Sequence, residues 1–180
     1  MNISEVSSWK NFTDPDGVVW DLSFLNAHKA VYTHKAQGKE DIKYTFYVSY
    51  SFHCFAKDYD SQTEDEKNKL MYHAPKDSRP FCQHRYNLAK KHLKSCILNL
   101  DKMDVVHAGY GNYAVFEIID EDGSNINYFA PFKVFRENKK MRIHVTSAYA
   151  ITGKVGGEKV GFLKIANNLM RGKPLPHPKK

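Results

Sequence analysis

One alternation constrains this chain more than any other feature. From residue 43 to 55 the even positions are Tyr44, Phe46, Val48, Tyr50, Phe52 and Cys54, and the odd ones are Lys43, Thr45, Tyr47, Ser49, Ser51 and His53. Side chains along a strand point to opposite faces in turn. The pattern therefore predicts one long strand with a packed face and a polar face that carries His53. The packed face needs a cover, and the chain offers one. After Pro80, residues 81–100 repeat Phe81, Tyr86, Leu88, Leu93, Cys96, Ile97 and Leu100 near helical spacing, with Arg85, Lys90, Lys91 and Lys94 on the opposite face. That is an amphipathic helix with a basic face.

Three more strands are expected at residues 112–120, 126–136 and 141–151, as an antiparallel meander. Its turns fall at Glu121-Asp122-Gly123-Ser124 and at residues 137–140. Pro131 removes a ladder donor and marks an edge or a bulge. Residues 160–170 read as a closing helix with Phe162, Ile165, Ala166 and Leu169 inward. The expectation is an α+β fold: an antiparallel sheet holding the long strand and the meander, one main amphipathic helix packed on it, and a C-terminal helix. At 180 residues the chain suits a single domain spanning 1–180. It would carry an N-terminal arm over about 1–42 and a Pro- and Lys-rich tail over about 171–180. Within the arm, Asp14-Pro15-Asp16-Gly17 signals a turn among Trp9, Phe12 and Trp20. Residues 57–76 read as a long polar loop, of the kind usually functional or mobile.

Composition bears on partners. The chain has 27 Lys+Arg against 20 Asp+Glu, a formal charge of +7. Such a balance suits an anionic partner, RNA before DNA, or an acidic protein. No apolar run reaches the roughly 20 residues that span a bilayer, and no secretory leader opens the sequence, so a cytoplasmic protein without a membrane partner is expected. Cys54, Cys82 and Cys96 are an odd count, which favours reduced thiols over a disulfide framework. His53, Cys54, Cys82 and His84 are zinc-ligand types. Strand neighbours face opposite ways, however, and the spacing is unusual for zinc, so neither metal nor cofactor is predicted. Cys82, near a helix start and close to His84 and Arg85, leaves a nucleophilic thiol as a further reading.

The chemistry concentrates on polar strand faces. In the last strand Arg142, His144 and Thr146 share one face, while Met141, Ile143, Val145, Ser147 and Tyr149 share the packed one. With His53 across the sheet, these groups could cleave RNA without metal. One imidazole would take the 2′-hydroxyl proton, a second acid would protonate the leaving oxygen, and a cation would stabilise the phosphate. The candidate catalytic residues are thus His53, His144, Arg142 and Thr146. The candidate nucleic-acid contacts are Arg79, Arg85, Lys90, Lys91 and Lys94. The competing readings are a solvated sheet face with ordinary histidines, and a non-enzymatic basic module that binds nucleic acid or an acidic protein.

The segments Ser51-Phe52-His53-Cys54-Phe55, Arg79-Pro80-Phe81-Cys82 with Arg85-Tyr86-x-Leu88, and Ser147-Ala148-Tyr149 resemble an uncharacterised bacterial family. Its members are sometimes labelled heat-shock protein C or stationary-phase growth adaptation protein. The resemblance spans about residues 43–171 and implies kinship without an activity. Over residues 81–151 the element order, closing on His144-Val145-Thr146-Ser147-Ala148-Tyr149, is also similar to the barnase–EndoU–colicin–RelE group of small ribonucleases and toxins. That likeness implies a metal-independent endoribonuclease acting as a toxin or defence effector. Two features depart from that group's pattern: the long strand lies ahead of the helix, and no general-base Glu is obvious, Glu117 being the best placed candidate.

Overall fold

The structure is a computed structural model. It describes residues 7–35, 38, 40–109, 111–121, 124–152 and 157–178, with the side chains of 116–121 and 124–125 outside the description. Glu117 and the Asp122-Gly123 turn lie outside the described residues in that sense.

The strands in chain order are β1 (Phe12–Thr13), β2 (Val19–Trp20), β3 (His28–His34), β4 (Ile42–Tyr50), β5 (Met71–His73), β6 (Ser78–Pro80), β7 (Val105–His107), β8 (Tyr113–Glu121), β9 (Ser124–Glu137), β10 (Lys140–Val145) and β11 (Tyr149–Ile151). Helix α1 is Glu64–Lys69. Helix α2 runs through Gln83–Leu88, Ala89–Leu93 and Lys94–Leu98, its middle segment widened to π geometry, and α3 is Phe162–Met170. Among the described residues seven strands make one curled sheet, ordered β3-β4-β10-β9-β8-β7, with β11 continuing on β9. Two small ribbons, β1-β2 and β5-β6, stand apart from it.

The fold is α+β, with the expected main helix and closing helix against one sheet. The expected antiparallel sheet is corrected at one ladder. β10 pairs with β4 in parallel, Met141 opposite Phe46 through Val145 opposite Tyr50, while the other ladders are antiparallel. The meander is therefore joined to the long strand through its last strand, β10, and strand-by-strand patterning is silent about the direction of that pairing.

The alternation places the core as expected. Tyr44, Phe46, Val48 and Tyr50 are buried, and α2 covers them with Leu88, Ala89, Leu93, Cys96 and Ile97. Tyr32 fixes β3 to this helix by donating its hydroxyl to the Ile97 carbonyl. Phe162 of α3 packs on Tyr32, Phe46 and Phe132, with ring centroids 4.6, 5.5 and 6.3 Å away.

Three further expectations change. β4 stops at Tyr50, and Phe52–Cys54 form a 3₁₀ turn, because the Ser51 hydroxyl accepts the His53 N–H and starts it. His53 thus sits on a turn rather than on a strand face. The polar loop at 57–76 holds structure. Thr63 and Glu66 close a capping box on α1, a Thr-x-x-Glu signature present in the sequence, and β5 follows. The segment expected as an arm supplies β3 to the sheet and an aromatic cluster to the core. There Phe12 stacks on Phe81 at 4.6 Å, Trp9 meets Phe55 at 5.3 Å, and Trp20 meets Tyr86 at 5.1 Å.

Candidate functional site

The parallel pair decides where a site can form. Because β4 and β10 run the same way, both end at one edge of the sheet, and the segments leaving them emerge side by side. Crevices beyond the carboxyl ends of parallel strands are a recurrent place for ligands. The two exits are joined directly, since the Ser51 N–H donates to the Val145 carbonyl at 2.9 Å.

Each exit is shaped by its residues. After β10 the chain bulges. Val145 pairs with Phe132 and Tyr149 with Phe129, so residues 146–148 stand opposite only 130–131. The partner at this point is Pro131, which has no N–H to extend a ladder, and Thr146 donates both its N–H and its hydroxyl to the Pro131 carbonyl, at 2.9 and 3.1 Å. Beyond the turn that follows β4, the Lys57 N–H bonds the Pro80 carbonyl at 2.9 Å and the Cys82 N–H bonds Phe55 at 2.8 Å. This stitching draws β6, with Arg79, up to the exits.

The result is an open cleft of about 410 Å³ walled by His53, Lys57, Arg79, Arg85, Thr146 and Tyr149, with Ser147 and Ala56 beside them. Three of these residues are cations and none is acidic. Arg85 organises the cleft. Its Nη1 donates to the His53 carbonyl at 2.8 Å and to the Ser147 hydroxyl at 3.4 Å, and its guanidinium lies 4.8 Å over the Tyr149 ring. Ser147 also donates to the His53 carbonyl, at 3.3 Å. The Nε–H groups of Arg85 and Arg79 are both buried with no hydrogen-bond acceptor, although the Asp77 carboxylate lies 3.6 Å from Arg79 Nε as an ion pair. His53 is half-buried. Burial pushes its pKa below the ordinary imidazole value, Arg79, Arg85 and Lys57 push the same way, and Asp77 opposes them. The imidazole is therefore neutral near pH 7 and able to accept a proton.

Of the candidate catalytic residues, His53 and Thr146 line this cleft and His144 and Arg142 do not. His144 is buried, with its Nδ1 3.0 Å from the Ser49 hydroxyl. Burial, and then the charge of Lys133, hold its pKa down at about 4. Arg142, at the far end of β10, pairs with Glu137 at 2.9 Å. Of the candidate nucleic-acid contacts, Arg79 and Arg85 wall the cleft. Lys90, Lys91 and Lys94 stand on the exposed face of α2, as its periodicity indicates, and Lys90 donates to the Tyr86 hydroxyl at 3.0 Å. All three cysteines are free thiols. Cys82 sits at the N-cap of α2 with its Sγ 3.5 Å from the Tyr59 hydroxyl. Among the described residues no group of three or more His, Cys, Asp or Glu gathers where a metal could be held.

Sequence reasoning missed Lys57, Ser147 and Tyr149. The last two were assigned by parity to the packed face, and the bulge at 146–148 breaks that parity. Pro131 was the available signal.

Comparison with known proteins adds a family. Residues 10–170 match the YjaZ family. The chain is 57% identical over 176 residues to Protein YjaZ of Escherichia coli (strain K12), covering 98% of each chain. No solved structure matches. Among the described residues no helix is long and apolar enough to cross a membrane. With a family match over most of its length and a relative of this identity, the chain belongs to the YjaZ family.

Proposed function

We propose that the protein is a cytoplasmic RNA-binding module whose cleft takes a backbone phosphate. The observation that carries this is the gathering of three cations, Lys57, Arg79 and Arg85, on the walls of one cleft with no acid among its lining residues, Arg85 keeping its buried Nε–H without a hydrogen-bond acceptor. A buried donor without an acceptor costs about 1–3 kcal/mol. A phosphate is rich in acceptor oxygens and suits guanidinium recognition. Tyr149, already under Arg85, adds an aromatic surface beside the cations. The heat-shock and stationary-phase labels of the resembled family name growth circumstances and carry no chemistry into this reading.

A second reading, metal-independent cleavage, is favoured by His53, a neutral base set among cations. His53 would take the 2′-hydroxyl proton as the 2′ oxygen attacks phosphorus. The bond to the 5′ oxygen then breaks, the guanidinium groups hold the charge, and water protonates the leaving oxygen. His144, bonded to Ser49, has no part in this scheme, so a two-imidazole mechanism is not invoked.

The test measures binding and cutting of mixed RNA by wild type, Arg79→Ala and His53→Gln. Loss of a charge-assisted phosphate contact in Arg79→Ala should weaken binding about tenfold or more. An Arg79→Ala protein that binds RNA as wild type does would overturn the cleft as the binding site. If wild type also cuts, His53→Gln should slow cutting by about 10²–10⁴ while binding holds. A wild type that binds and never cuts removes the second reading alone.

A further inference from the structure

The parallel strands have a second end, and it too is basic. At the start of β4 and β10 a shallow groove of about 330 Å³ is lined by Lys43, Arg136, Lys139 and Lys140, with Tyr47 at its floor and no acidic residue among its walls. Tyr47 draws cations together: Lys140, Lys29 and Arg142 lie 4.9, 5.4 and 5.7 Å from its ring centroid. Register explains this, since Tyr47 stands opposite Lys29 on one side and Arg142 on the other. The turn into β10 adds to it. Asn138 and Lys139 both have positive φ, 49° and 63°, the two-residue hairpin geometry that favours Asn-Gly. A lysine in the left-handed region costs about 1–2 kcal/mol relative to glycine, and here it sets a charge on the rim of the groove. Glu137, on Arg142, relieves the crowding only in part. Like charges gathered round one ring repel each other, and a polyanion laid across them reverses the sign of that interaction.

Resting on the cleft reading above, we infer that this groove is a second phosphate-docking surface and that the natural ligand is a single-stranded RNA long enough to reach both ends of the β4–β10 pair. The two sites are separated by the stretch from Met141 to Thr146, about 17 Å of strand at 3.3–3.4 Å per residue. A stacked strand advancing about 3.4 Å per phosphate covers that distance in about five nucleotides. Lys133, opposite His144 on β9, adds a cation at the register between the two sites. A trinucleotide then engages the cleft alone, and a dodecamer engages both sites, with the gain in affinity that linkage of two weak sites brings.

The experiment measures binding of a trinucleotide and a dodecamer of RNA across a salt series. It uses wild type, the groove double variant Lys43→Ala/Lys140→Ala, the cleft variant Arg79→Ala, and a control that removes equal charge from exposed positions lining neither site, Lys102→Ala/Lys164→Ala. The groove variant should bind the dodecamer about tenfold more weakly, with the log–log salt slope reduced by about 1.4 for two lost phosphate contacts, and should bind the trinucleotide as wild type does. The control should change neither. Equal loss in groove variant and control, or an unchanged dodecamer affinity in the groove variant, overturns the groove. Competition by polyglutamate as effective as RNA of equal charge also overturns it and assigns the surface to an acidic protein. Failure of the cleft reading has a separate signature, an Arg79→Ala protein that holds both oligonucleotides normally.

Discussion

Protonating His144 inside this fold is costly. Its ordinary pKa of 6.5 is held down at about 4 by burial and then by Lys133, with Ser49 on its Nδ1. Between those values the unfolded chain takes up a proton that the folded chain refuses. Stability from this group is therefore complete above about pH 6.5 and falls as the pH drops toward about 4, below which both states are protonated. At about 1.4 kcal/mol per unit the loss is roughly 3 kcal/mol. Denaturant titrations in this window should show a shallower pH slope for His144→Gln, which does not titrate, than for wild type. His28 and His53 are displaced in the same direction, so the difference between the two proteins is the informative quantity. An identical slope refutes the assignment. Polar parity in the strand suggested a solvated histidine, but His144 and the Ser49 that it bonds are both buried among their neighbours. The hydroxyls of Tyr50 and Tyr128 are a second residue-scale case, both buried without a hydrogen-bond partner. Tyr50→Phe and Tyr128→Phe remove an unsatisfied group and little volume, so each should raise unfolding free energy by about 1 kcal/mol, readable as a higher denaturant midpoint. A loss in both would mean that the hydroxyls are satisfied.

At the scale of elements, α2 is tied to two strand exits through one side chain. Arg85 reaches from the helix to the carbonyl of His53 after β4, and to Ser147 and Tyr149 after β10. Arg85→Ala leaves the His53 carbonyl with only the Ser147 hydroxyl and exposes the gap between helix and exits. It should cost about 2–3 kcal/mol, the range for a charge-assisted bond removed from one side. Arg85→Lys keeps the charge and loses the planar fork, so chemical denaturation should place it between wild type and alanine. Lysine equal to wild type would show that charge alone matters. Much of this frame was legible beforehand: the alternation of β4 placed its core face, α2 declared its apolar stripe, and Pro131 signalled the bulge. The direction of β10 against β4 was not legible, because side-chain alternation is the same in parallel and antiparallel ladders. That direction brings His53 and Thr146 to one edge, so half of the site was named and its assembly was missed. The turn at Phe52–Cys54 was hidden because its apolar and polar residues continue the period of the strand before it.

For the whole molecule, the question is whether the N-terminal aromatic unit and the curled sheet unfold together. The two tryptophans, Trp9 and Trp20, both lie in the N-terminal segment. They pack on Phe55, Tyr72, Phe81 and Tyr86, so they report on the unit beside the sheet. That unit is bound to the rest at several points: Tyr86 belongs to α2 and donates to the Asp21 carbonyl at 3.1 Å, Tyr72 donates to Lys10 at 3.1 Å, and β3 continues from it into the sheet. These links form one continuous buried core. Tryptophan fluorescence and far-ultraviolet circular dichroism, the latter dominated by the sheet and helices, should therefore give superimposable denaturation curves. All-or-none unfolding is the rule for single domains below about 150 residues, and this chain is somewhat longer, so coincidence is not assured by size. Phe12→Ala sharpens the test. It removes a buried ring stacked on Phe81, at a cost of about 3–5 kcal/mol, and in a cooperative fold it must lower both midpoints equally. A fluorescence transition that moves alone, with the dichroism midpoint unchanged, would show that residues 7–26 form a separate folding unit docked on an independently stable sheet.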